Sequence, residues 1–147
     1  MAKCEFKSLP DAKLQRQRNA SFSFSYDEIN ISETLSNYAK GKTYYIHTYG
    51  CQANYRDEEI ISGILTKAGF IKASDENADI IILNTCAVRE NAEDKVFGKI
   101  GELKAIKAKN KNAIIAICGC MVQQIHIINK ILDIYKHVDL IFGTHNI

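Results

Sequence analysis

No apolar run in this 147-residue sequence approaches the ~20 residues that a membrane-spanning helix needs. The first residues lack the apolar stretch of a signal peptide. Charge of one sign is scarce: 19 Lys and Arg against 17 Asp and Glu leave a net +2. Taken alone, that is too small to argue for a nucleic-acid partner. Proline occurs once, at Pro10. No Cys-x-x-Cys pair occurs, which disfavours structural zinc, whose ligands come in short paired spacings. The missing span and signal peptide point to a cytoplasmic protein with no membrane partner, in a compartment where thiols stay reduced. Five cysteines there read better as metal ligands or reactive groups than as a disulfide framework.

What is present is ordinary in bulk and distinctive in pattern. A chain of this length buries roughly 70% of its unfolded surface, so it folds without disulfides. Residues 1–41 differ from the rest and read as an N-terminal arm, partly disordered. Lys3, Lys7, Lys13, Arg16 and Arg18 face only Glu5 and Asp11 up to Ser25. The arm is better explained as a solvated extension than as a basic strap for RNA. Ser21 to Ser25 alternates with two phenylalanines but is short and isolated. Asp27 to Lys40 has some helical spacing and stops at Gly41.

From Lys42 onward strands and helices alternate. Strands are expected over Thr43 to Thr48, Phe70 to Ala73, Asp79 to Leu83, Ala113 to Ile117 and Val138 to Phe142. The first helix is expected to be capped by Asn54, with Asp57 three residues on. It buries Ile60, Ile61, Ile64, Leu65 and Ala68 and closes at Gly69. The second runs from about Arg89 to Lys109 with Val96, Ile100, Leu103 and Ile106 inward. The third runs from about Val122 to Tyr135 with Ile125, Ile128, Ile131 and Leu132 inward. This alternation predicts an α/β fold: a parallel sheet of four to five strands with helices on both faces. The nearest topology is flavodoxin-like or Rossmann-like, with strand order 2-1-3-4-5.

Three of the strands lead into a cysteine. Tyr44 to Gly50 leads to Cys51, Asp79 to Thr85 to Cys86, and Ala113 to Gly119 to Cys120. The intervening stretches are 34 and 33 residues. In a parallel sheet, strand ends lie along one edge. Three neighbouring strands therefore bring these thiols together, with backbones of the outer pair roughly 10 Å apart. Each thiol is expected to precede a helix N-terminus, which favours the thiolate that ligates metal. Three thiolates would leave one iron of a [4Fe–4S] cluster open. Singly, each cysteine would be better read as a small buried hydrophobe; equivalent placement of all three reverses that preference. Gln52, Asn54, Asn84 and Arg89 flank the thiols and are candidates to bond cluster sulfides. Helix capping explains Asn54 equally well. Cys118 could be a fourth ligand or redox partner but reads better as a buried strand residue. Cys4 reads as a spare thiol, and His47 as a packed histidine. Lys95, Lys99, Lys104, Lys107, Lys109 and Lys111, against Glu102, form a basic helix face, better explained by solvation than by phosphate.

Three ordered motifs carry a resemblance. Thr48-Tyr49-Gly50-Cys51-Gln52-Ala53-Asn54, Asn84 to Glu93 and Gly119-Cys120-Met121 resemble the N-terminal domain of the radical S-adenosylmethionine methylthiotransferases. The likeness covers about Lys42 to Gly143. After the second cysteine it looks most like the tRNA-modifying branch, rather than the threonylcarbamoyladenosine or ribosomal-protein branches. The resemblance implies that Cys51, Cys86 and Cys120 bind an auxiliary [4Fe–4S] cluster. It implies an enzyme that adds a methylthio group to carbon 2 of N(6)-dimethylallyladenosine beside the anticodon. A second [4Fe–4S] cluster and S-adenosylmethionine would belong to a radical domain. A reductant such as flavodoxin or ferredoxin, a sulfur donor and tRNA would be partners. Ala53 stands where the family more usually has methionine. The radical motif Cys-x-x-x-Cys-x-x-Cys is absent, so residues 42–147 are expected to be a cluster-binding fragment, inactive alone. The rival expectations are a flavodoxin-like anion-binding module and a zinc-binding interaction domain.

Overall fold

The computed structural model describes residues 30–87 and 92–143. Its elements alternate as the hydrophobic pattern requires. They are α1 (Glu33–Ala39), β1 (Thr43–Tyr49), α2 (Gln52–Ala68), β2 (Ile71–Lys72), β3 (Ile80–Thr85), α3 (Ala92–Lys109), β4 (Ile114–Gly119), α4 (Ile125–Ile134) and β5 (Leu140–Phe142). A 3-10 turn, Met121–Gln123, precedes α4. The five strands form one parallel sheet in the order β2-β1-β3-β4-β5. Both the parallel sheet and the strand order match expectation.

The core has two layers because a parallel sheet is covered on both faces. On one face Ile81, Leu83, Ile115 and Ile117 meet Val96, Ile100 and Leu103 of α3 and Ile127 and Ile131 of α4. On the other Tyr44, Ile46, Ile82, Ala116 and Cys118 meet Ile61 and Ala68 of α2 and Ala39 of α1. Successive strand residues alternate between these layers, as the period of two dictates.

Several expected boundaries and faces need correction. β3 and β4 each continue two residues further than their apolar runs, through Thr85 and Gly119. The extension holds because the strands stay paired there: Tyr49, Thr85 and Gly119 lie side by side. β5 is shorter than expected, Leu140–Phe142. Ile60 is largely exposed on α2. Ile125 and Leu132 are 75% and 53% exposed, and Ile127 takes the inward position instead. α4 is apolar nearly all round, so periodicity alone cannot choose its buried face. α1 is shorter than its expected 27–40 span and is capped by Ser32, whose Oγ accepts from Leu35 N at 3.2 Å. Cys4, the Ser21–Ser25 alternation and the rest of 1–29 lie outside the described residues. So do 88–91, including Arg89. Among the described residues, no helix is long and apolar enough to cross a membrane.

Burial separates two isoleucines that the sequence alone treats alike. Ile117 is fully buried between α3 and β3. Ile117→Ala should cost about 2–5 kcal/mol in urea unfolding. Ile125→Ala should stay within about 0.5 kcal/mol of the parent.

Candidate metal centre

The registered row Tyr49–Thr85–Gly119 fixes where the three thiols emerge. Cys51 follows β1 by two residues, while Cys86 and Cys120 follow β3 and β4 by one. β3 lies between the other two strands. The Thr85 carbonyl, immediately before Cys86, accepts from Cys120 N at 2.9 Å. The same oxygen accepts from Asn54 Nδ2 at 3.1 Å. Asn54 Oδ1 in turn accepts from Cys51 N at 3.2 Å. One carbonyl thus links all three cysteine-bearing segments.

Asparagine pairing completes the clasp. Asn54 Nδ2 also donates to Asn84 Oδ1 at 3.2 Å, and Asn84 Nδ2 donates to Asn54 O at 2.6 Å. Both residues are fully buried. Thr85 Oγ1 donates to Cys118 O at 2.6 Å, tying β3 to β4. Such a network is stable only when its buried members are satisfied. Two glycines make room for it. A Cβ at Gly50 would overlap Asn54 Oδ1. Gly119 has φ 103, and a Cβ there would overlap the Thr85 backbone.

Asn54 is therefore not the helix cap expected from sequence. Cys51 occupies the N-cap, and Asn54 is the third residue of α2 and reaches back to it. The expected Asn54–Asp57 capping box is replaced by a Cys51–Asn54 box. Asp57 instead lies close enough to raise the thiol pKa values of Cys118 and Cys120. Gln52, the first residue of α2, is exposed. Sequence reasoning missed Thr85, because its role lies in its carbonyl rather than in its side-chain type.

The thiols do not share one electrostatic environment. Cys51 is exposed. The backbone N–H of Asn54, then that of Ala53, holds its thiol below the ordinary value, and the neighbouring Cys86 thiol helps. Cys120 is half-buried, and its thiol is raised by burial, then by the charges of Cys86, Asp57 and Cys51. The expectation that every thiol sits at a helix N-terminus thus fails in part. Only a 3-10 turn follows Cys120, and α3 begins at Ala92, six residues beyond Cys86. Cys118 is fully buried in the α2-side core, and burial pushes its thiol up to about 12. It is a strand hydrophobe, as expected.

Among the described residues, no group of three or more His, Cys, Asp or Glu side chains is arranged to hold a single metal ion. A tetrahedral zinc would need thiolates about 3.8 Å apart, given Zn–S bonds of about 2.3 Å. A cluster gives each thiolate its own iron and accepts a wider triangle. Three thiols on adjacent strand ends, each sensed by another's ionisation, fit a cluster better than one ion.

His47 and the lysines have other partners. His47 stacks on Tyr49 with ring centroids 4.3 Å apart. Lys99 pairs with Glu76 at 2.5 Å and Glu102 at 3.0 Å. Lys107 pairs with Asp139 at 2.7 Å. These pairs account for part of the basic face without phosphate.

Alkylation should rank the thiols of the metal-free chain. Cys51 should reach its half-maximal iodoacetamide rate below the ordinary thiol pKa, and Cys120 above it. Cys118 should stay unmodified until the fold opens, as peptide mass spectrometry across a pH series would reveal. Asn54→Ala removes the Cys51 cap and leaves the Thr85 carbonyl with one donor fewer. It should cost roughly 1–3 kcal/mol in urea unfolding.

Curated relatives share this architecture at the sequence level. A protein of Bacillus cytotoxicus named tRNA-2-methylthio-N(6)-dimethylallyladenosine synthase is 46% identical over 141 residues, which is 95% of this chain and 27% of that protein. One of the same name from Oceanobacillus iheyensis is 49% identical over 140 residues, 94% of this chain and 27% of that protein. One from Bacillus cereus is 49% identical over 121 residues. The chain spans about a quarter of the length of these relatives. Residues 43–143, which run from the start of β1 to just past β5 and hold all three edge thiols, match one protein family. The chain belongs to that family, described as "Uncharacterized protein family UPF0004".

Proposed function

We propose that this chain is the N-terminal auxiliary-cluster domain of a tRNA methylthiotransferase acting on N(6)-dimethylallyladenosine. The observation that carries it is the convergence of Cys51, Cys86 and Cys120 on the Thr85 carbonyl. The relatives' printed name and their roughly fourfold greater length support it. Cys51, Cys86 and Cys120 would hold the [4Fe–4S] cluster. When bound, that cluster would supply iron-held sulfur for transfer to carbon 2 of the adenine.

The protein's own residues have distinct tasks in this reading. Cys51, exposed and with the lowered thiol pKa, offers a thiolate first. Cys86, fully buried, sets the floor of the site. Cys120 ionises when metal replaces its proton, since burial and neighbouring charge oppose the free thiolate. Asn54, Asn84 and Thr85 hold the three backbones in place before metal arrives. Gln52, at the exposed start of α2, and Arg89 stay candidates for contacts to the cluster. The second [4Fe–4S] cluster and S-adenosylmethionine would sit in the longer enzyme, outside these residues. tRNA, a reductant such as flavodoxin or ferredoxin, and a sulfur donor are its partners, in the cytoplasm. Alone, this chain would bind a cluster without turning over.

Anaerobic iron–sulfur reconstitution tests the reading directly. The chain should take up about four irons and four sulfides and absorb in the visible. Cys51→Ala, Cys86→Ala and Cys120→Ala should each lose the cluster, while Cys118→Ala keeps it. A folded parent that takes up no iron, or a triple variant that retains it, would defeat the assignment. Stoichiometric zinc in place of iron would favour the zinc-binding alternative.

A further inference from the structure

Crossover handedness decides which face of the sheet each helix covers. α2 carries the chain one way, from β1 to β2, while α3 and α4 carry it the other way. The two core clusters follow: α2 on one face, α3 and α4 on the other. The connection from β2 to β3 contains no helix. Among the described residues, α2 and the short α1 therefore cover their face alone. They cover its β2, β1 and β3 side and leave β4 and β5 bare.

The bare region is a groove of about 300 Å³. Ile61 and Leu65 of α2 form one wall, and Ile82, Ala116, Leu140 and Phe142 line the sheet side. Ile61, Ile82 and Ala116 also belong to the buried core cluster, so the groove is that core continued into solvent. Leu140 is 50% exposed within it. A contiguous apolar sheet face of this kind marks a surface that something covers.

We propose that the groove seats one amphipathic helix formed by the chain that follows Ile147 in the longer enzyme. This rests on the reading that the chain is part of a longer protein. Three observations select that occupant. Phe142, the last residue of β5, lines the groove, so the chain leaves the sheet at the groove's rim. β5 is the edge strand, and a helix that need not reach a further strand can fold back over its own sheet. From β3 to β5 the floor is about 10 Å wide between strand axes, close to the diameter of one helix with its side chains, about 10–12 Å. The relatives, of which this chain spans 27%, have chain to spare. Residues 1–29 are disfavoured because they join the fold at α1, whose last residue Ala39 lies beside Gly69 at the far end of α2.

Leu140→Cys, read by maleimide labelling and peptide mass spectrometry, tests this. It would be placed in three proteins: the 147-residue chain, the same chain extended by about 25 of its own following residues (enough for a turn and a helix along the sheet) and the full-length enzyme. Labelling should be fast in the first and at least about tenfold slower in the other two, as expected for a site reached only by local opening. Equal labelling in all three would overturn the proposal. So would protection already present in the 147-residue chain. Loss of that protection on deleting 1–29 would identify the arm as occupant, and loss on dilution a second copy. The intact mass of the native product separates two failures. A product ending at Ile147 would remove the longer-enzyme reading itself, whereas a longer product with unprotected Leu140→Cys would remove only the groove assignment.

Discussion

The site depends on one carbonyl. Thr85 O accepts from the backbone of Cys120 and from the side chain that caps Cys51, and it belongs to the residue before Cys86. A carbonyl has two lone pairs, and both are used here. Removing either donor would loosen one thiol relative to the other two. The surrounding residues serve this point: Asn84 fills the remaining valence of Asn54, and Gly50 and Gly119 allow the close approaches. The clasp is buried, so water does not compete for it. That is the condition under which a hydrogen-bonded network specifies geometry.

The same clasp explains why four cysteines near one edge behave differently. Cys118 and Cys120 are two residues apart, yet one is a core side chain and the other lies at the rim. Gly119, with its left-handed backbone, turns the chain between them. Without that turn Cys120 would continue the strand and follow Cys118 into the α2-side core. Cys51 is reached by a different route. It caps a regular helix and receives backbone N–H groups directly. The thiol chemistry thus follows from local backbone path, not from residue type.

Much of this was legible in the sequence. Nearly continuous apolar runs that end in cysteine gave the parallel sheet, its order and the shared edge. Asn84-Thr85 and Cys118-Gly119 were left out of the strands because polar residues and glycine look like turns; pairing across the sheet keeps them extended. Asn54 looked like an N-cap by residue type, whereas its partners lie 30 residues away in β3. No local pattern carries such a contact. α4 failed for a different reason. With Ile125, Ile127, Ile128, Ile131, Leu132 and Ile134 in ten residues, apolar positions surround the helix, and only the sheet decides which of them is inside.

The registered row Tyr49–Thr85–Gly119 also separates what can vary from what cannot. The links that end in β2, β3 and β4 lie along the opposite edge of the sheet from the thiols. Lengthening the turn at Asn110–Asn112, or the helix-free link 73–79, would change the spacing between cysteines along the chain while leaving the row in register. The near-equal intervals of 34 and 33 residues are therefore the lengths of two particular crossovers. A related chain with quite different spacing could hold the same triangle, provided that a carbonyl in the position of Thr85 O still met an asparagine from one neighbouring strand end and a backbone N–H from the other.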